Sequence, residues 1–223
     1  MCFTPAVSFL TFAIEILMAA WVLYLNPKER INRVSAAVLF FLGMYQFTEW
    51  GLCSAGDPFW WGKLGFIFYT TLPALAVHWV YALRDDKRAI WPVHFVSAGF
   101  ILYALLASDF VNTAECGRFF VKVLHNWLPM LYWPYFTYYT LFIAYPAVML
   151  LNSIIHEDDK PRRRMYVWGL VGMLAFTFPT FFVLLVLPEF NLFFPSMLCQ
   201  FALLFAISVA YVVSLNEKIK KVV

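Results

Sequence analysis

The sequence predicts an all-α integral membrane protein: a seven-transmembrane-helix bundle in one domain spanning residues 1–223, with its N-terminus outside and its C-terminus in the cytoplasm. Three observations predict it. The chain is 63% hydrophobic, only 13% charged, and has a mean hydropathy of +0.75, whereas a soluble domain carries about 25% charged residues. Apolar runs of roughly 20 residues recur, each long enough to cross a hydrocarbon core of ~30 Å as a helix that satisfies its own backbone. Basic residues also cluster in alternate connections, with thirteen of the sixteen Lys and Arg on one predicted side. The positive-inside rule assigns that side to the cytoplasm.

The first span, about residues 5–25, carries Thr4, Ser8, Thr11 and Glu15 at spacings of four, three and four. These spacings put the four residues on one helix face. A carboxylate at the centre of a span costs roughly 2.5–3.5 kcal/mol on insertion scales, so this polar stripe should turn inward. Glu15 then serves either as a structural clamp to a neighbouring helix or as a functional acid. No cleavable signal precedes the run, so the first helix is expected to act as its own insertion signal.

The second span, about 33–54, ends in "GMYQFTEWGLC". Gly43, Gln46, Glu49 and Cys53 lie within about a third of the helix circumference. Gly43 would let a neighbouring backbone approach. Glu49 lies near the outer surface, either snorkelling to water or lining a pocket. The third span, about 60–83, places His78 nearer the cytoplasm with Thr70 and Thr71 above it; His78 reads as a packing histidine or a relay. The fourth span covers about 89–107.

The outer connection, about 108–126, is the longest in the chain and holds Cys116 and His125. The fifth span, about 127–151, is a tyrosine helix. Tyr132, Tyr135 and Tyr139 are expected on one face and Tyr138 and Tyr145 on another, with Pro129, Pro134 and Pro146 bending it. The sixth span, about 165–187, should bend at Pro179. The connection "HEDDKPRRR" before it reads as a cytoplasmic anchor on anionic lipid, not as a nucleic-acid site. The seventh span, about 191–215, adds Ser196, Cys199 and Gln200 in the outer half. It has no lysine before Lys218, in the tail, which argues against a covalently bound retinal.

All four cysteines, Cys2, Cys53, Cys116 and Cys199, fall in the predicted outer half. Disulfides persist outside the cytoplasm, and Cys53 with Cys116 is the pair expected to form one. The alternative is that the thiols act as small apolar side chains.

The opening "MCFTPAVSF", the "GMYQFTEWG" segment and the late "PSMLCQFALL" resemble a bacterial family of seven-helix membrane proteins of uncharacterised activity. Its members begin Met-Cys-Phe-Ser, carry Gly-x-x-Gln-x-x-Glu on the second span and place a cysteine on the last. The matching positions are Cys2, Phe3, Gly43, Gln46, Glu49 and Cys199; Thr4 stands where the family has serine, and His125 is the one candidate for the histidines of its second outer loop. The segment from "FLGMYQFTEWG" to "FYTTLPALAVHWVYALR" is also similar to the seven-helix sensory region that precedes some bacterial histidine kinases. The resemblance implies a bacterial cytoplasmic membrane and a functional reading for Cys2, Gln46, Glu49 and Cys199.

Two sulfurs and a carboxylate make a plausible ligand set for zinc or copper(I), with His125 as a further ligand. Glu49 would be a metal ligand or a general base in hydrolysis of a lipid-soluble substrate. The polar residues Glu15, Gln46, Ser8, Thr11 and His78 are expected to line the pocket. No HExxH or HxxxH spacing occurs, so the seven-helix ceramidase pattern is absent. Two other readings stay open. One is a sensor that binds a small apolar ligand among the aromatics of the fifth and sixth spans and signals through a cytoplasmic partner. The other is a transporter or proton pathway using Glu15, His78 and Glu49 as relays.

Overall fold

The computed structural model describes residues 3–88, 90–117, 121–186 and 194–222; the side chains of residues 3, 4, 180, 181, 183–185, 194–200, 221 and 222 lie outside that description. The described chain forms α1 (Phe3–Leu25), α2 (Arg30–Ser54), α3 (Pro58–Leu83), α4 (Trp91–Leu106), β1 (Val111–Cys116), β2 (Val121–His125), α5 (Pro129–His156), α6 (Lys160–Val186) and α7 (Phe194–Val222). Local chemistry accounts for several boundaries. Gly56 takes a left-handed φ of 76° between α2 and α3. Asp57 then caps α3 by accepting the Phe59 N–H at 2.9 Å, and Pro58 fills the first turn where no N–H is needed. Pro129 likewise opens α5, so it starts that helix instead of bending it. Pro134, Pro146 and Pro179 do lie inside their helices.

Among the described residues four helices are long and apolar enough to cross a membrane: α1, α3, α5 and α7, the last over Phe201–Lys220. The α4 helix is apolar but shorter. Polar and apolar residues are distributed as membrane burial demands. Phe95 (73% exposed), Leu106 (77%) and Leu17 (69%) face outward, while Glu15, Ser8, Gln46 and Glu49 are buried. In water this arrangement would waste apolar burial and desolvate acids; in lipid it is the expected one. The exterior and the apolar helices fit an integral membrane protein.

The α2 and α3 helices are central. The α1 and α7 helices pack on α2, α4 and α5 pack on α3, and α6 bridges α5 and α7. A large apolar core joins Leu39 and Leu42 on α2 to Val77, Trp79 and Val80 on α3 and to Phe205, Val209 and Val213 on α7. At one end, Lys220 pairs with Glu29 at 2.6 Å, Asn32 donates to Glu217 at 3.2 Å, and Arg30 donates to the Asp86 carbonyl at 2.6 Å.

The opposite end departs from the all-α expectation. The connection between α4 and α5 is an antiparallel hairpin with Cys116 opposite Val121 and Val111 opposite His125, irregular between Val111 and Thr113. Val111, Val121, Val123 and Leu124 explain it, since branched side chains favour a half-buried strand. A disulfide joins Cys53, at the end of α2, to Cys116 on β1, with Cα atoms 5.2 Å apart. Further ties hold the hairpin's base: Lys63 donates to the Ala107 carbonyl at 2.6 Å and Asn126 to Asp109 at 3.0 Å.

Candidate functional site

The hairpin roofs a cavity between α2 and α3. Thr48 and Glu49 come from α2, Phe66 and Tyr69 from α3, and Val123 and His125 from β2. Its volume is about 20 Å³, room for a single water or small ion. Glycines set how closely its walls approach. A Cβ at Gly62 would lie 3.3 Å from both Val111 and Val123, and one at Gly65 would lie 3.1 Å from Thr48 Oγ1. At Gly51 a Cβ would enter the Trp61 ring at 2.5 Å. Larger residues at these positions would push α2, α3 and the hairpin apart.

Two predicted site residues, Glu49 and His125, therefore share one enclosure. Glu49 is buried, which excludes the snorkelling alternative. Its Oε2 accepts a hydrogen bond from Ser8 Oγ at 3.2 Å. His125 is half-buried by area, but its Nε2 is fully enclosed and has no hydrogen-bond partner. Its ring lies against Phe110 and Phe66, with centroid separations of 4.8 and 5.2 Å. Burial among these apolar rings pushes the imidazole down to about 3 from 6.5, so it is neutral at physiological pH. Thr48 turns its hydroxyl proton away, donating to the Tyr45 carbonyl at 2.7 Å.

From the Ser8–Glu49 contact a polar seam runs between α1 and α2. Ser8, Thr11 and Glu15 on α1 and Gln46 and Glu49 on α2 are all buried, as their spacing requires. Gly43 marks close approach there: a Cβ would sit 3.3 Å from Ile16 and 3.4 Å from Glu15. The clamp expectation for Glu15 is not met: among the described residues neither carboxyl oxygen has a hydrogen-bond partner.

Other predicted residues lie elsewhere or outside the described side chains. Cys2 and Cys199, together with Ser196 and Gln200, lie outside. Among the described residues no group of three or more His, Cys, Asp or Glu gathers as a metal site. His78 lies away from the roofed cavity, its Nδ1 3.2 Å from His94 Nε2 on α4. His94 went unread in the sequence, although it shares its predicted half with His78. The tyrosines of α5 divide differently from expectation. Tyr138 and Tyr139 are buried together, whereas Tyr132 and Tyr145 are each 46% exposed. Adjacent residues sit about 100° apart on a helix, and α5 meets α3 over a face wide enough for both. There Tyr138 donates to the Thr70 carbonyl at 2.7 Å, and the Thr70 and Tyr135 hydroxyls lie 3.0 Å apart.

A second cavity, of about 30 Å³, lies in the bundle centre among Leu42, Leu72, Tyr139, Met173, Phe176 and Phe205. It is apolar, and as shaped it is too small for a ligand much larger than water. No family model, no curated protein and no solved structure matches the chain.

Proposed function

We propose that the chain is a seven-span protein of the bacterial cytoplasmic membrane whose outer pocket binds a transition metal, zinc or copper(I). His125 and Glu49 are ligands within the roofed cavity, and Cys2 and Cys199 supply sulfur. The observation that carries this reading is the enclosed, unpartnered His125 Nε2 in a one-water cavity shared with Glu49. A buried nitrogen left unsatisfied costs about 1–3 kcal/mol. In the Nδ1–H tautomer its lone pair is free for a cation, and a ligating imidazole must be neutral, as burial makes His125. A metal held there would supply Lewis acidity. With His125 and the thiolates alone as ligands, Glu49 would instead be the general base in hydrolysis of a lipid-soluble substrate.

Topology supports the same reading. The basic connections put the hairpin end outside, where the Cys53–Cys116 bond persists. The resemblance to the Met-Cys-Phe-Ser family singles out Cys2, Glu49 and Cys199 independently of the cavity.

Metal content after loading with zinc or copper(I) tests the reading. Wild type should retain metal, and Cys2→Ala, Glu49→Gln, His125→Ala and Cys199→Ala should each lower it. Equal and negligible metal in all five proteins refutes it. A C-terminal reporter fusion tests the orientation: alkaline phosphatase active at the C-terminus would reverse it. The sensor reading leans on the central apolar cavity; it requires that cavity to open around a small apolar ligand and a cytoplasmic partner to co-purify.

A further inference from the structure

Glu15 is a carboxyl group with no exposed surface and no hydrogen bond to either oxygen. It faces the α2 backbone at Gly43, where a Cβ would lie 3.4 Å from its own Cβ. No cation meets it. Glu15 is the only charged residue within α1. The charged residues of α2 are Arg30 and Arg33, in its first turns, and Glu49, beyond Gly43 towards the helix's other end. The described side chains of α7, from Phe201, carry no formal charge before Glu217. An unpaired carboxylate so placed would cost several kcal/mol in lost solvation, which the neutral acid avoids. Even the neutral acid forgoes its hydrogen bonds, so Glu15 contributes nothing to the fold that an apolar side chain would not.

We infer that Glu15 is a proton-binding site at mid-seam, loaded from the outer side along Thr11 and Ser8. These hydroxyls share its helix face, are buried beside it, and can each donate and accept. Ser8 in turn donates to Glu49, which lines the outer cavity, so the polar residues continue from Glu15 to the roofed pocket. The seven residues from Ser8 to Glu15 correspond to about 10 Å of helix rise. In release, the Glu15 O–H bond breaks and the proton passes to water entering the seam. The carboxylate left behind is neutralised by a second proton arriving the same way. The inference uses neither His125 nor any thiol, so it stands or falls separately from the metal reading.

Infrared spectroscopy of the full chain in lipid nanodiscs tests it. The wild-type minus Glu15→Gln difference at neutral pH should contain the C=O stretch of a protonated carboxyl. In D₂O that band should shift while the protein stays folded, and Thr11→Val, which removes a hydroxyl from the seam, should slow the shift by about tenfold, a barrier change of ~1.4 kcal/mol. Should Glu15→Gln not fold, Glu15→Met supplies the difference. Absence of the band, a band that never shifts in the folded protein, or a rate untouched by Thr11→Val would each overturn the inference.

Discussion

Breaking the Cys53–Cys116 bond, by reduction or by a Cys53→Ser/Cys116→Ser double substitution, should loosen the roof of the cavity between α2 and α3 before it unfolds the bundle. The bond closes a sequence separation of 63 residues, and chain entropy assigns such a loop about 4 kcal/mol. That value is a ceiling here, because α3 and α4, apolar helices packed on one another, already restrict the open chain; about 2 kcal/mol is a reasonable floor. The remaining contacts of the hairpin are Val111 and Val123 on Gly62, Lys63 to Ala107, and Asn126 to Asp109. They keep it docked most of the time. Opening should therefore become between about 30- and 700-fold more frequent, at ~1.4 kcal/mol per tenfold. Hydrogen exchange read by mass spectrometry over residues 108–126 measures this directly, with the thermal midpoint as a second readout. Unchanged exchange in that segment, with mass confirming that the bond is broken, would show that the disulfide does not hold the roof.

Three further outcomes follow from named contacts. Glu15→Met should raise stability by about 1–3 kcal/mol, since the acid has no partner to lose; a loss exceeding ~1 kcal/mol in a detergent melt would reveal a hydrogen bond at Glu15. Gly62→Leu should cost about 1–3 kcal/mol and lift the hairpin, because a Cβ alone would already stand 3.3 Å from Val111 and Val123; an unchanged melt would mean that β1 and β2 do not rest on α3. His125 is neutral when folded and titrates near 6.5 when unfolded, so the unfolded state binds more protons in acid. The stability owed to its neutrality is complete above 6.5 and is lost as pH falls towards about 3, at up to ~1.4 kcal/mol per pH unit. In chelator-treated protein His125→Phe should flatten that acid limb, and an equally steep limb in the variant would remove His125 as its cause.

Much of the molecule was readable along the chain. Each apolar run became a helix, displaced at its ends by a few residues, because hydropathy and length are local properties. The burial of Ser8, Thr11 and Glu15 on one face followed from their spacing. The hairpin did not show itself, because its strands are only six and five residues long and lie in a connection singled out only for Cys116 and His125. His125 was chosen by resemblance, while the property that makes it interesting, an enclosed and unpartnered Nε2, comes from Phe66, Phe110 and the hairpin's register. His94 was missed because nothing local distinguishes a histidine that meets another sixteen residues away from one that meets lipid.

The sequence by itself determined that the chain is helical, apolar outside, and supplied with acids that cannot face lipid, since desolvation acts on each residue wherever its helix lies. Only the tertiary structure decided which of those acids finds company. Glu49 meets Ser8 and shares a roofed cavity with His125, while Glu15 has no hydrogen-bond partner among the described residues. That difference depends on how closely α1, α2, α3 and the hairpin approach one another, at distances set by Gly43, Gly62 and Gly65 and by one disulfide, and no periodicity along a single helix encodes it.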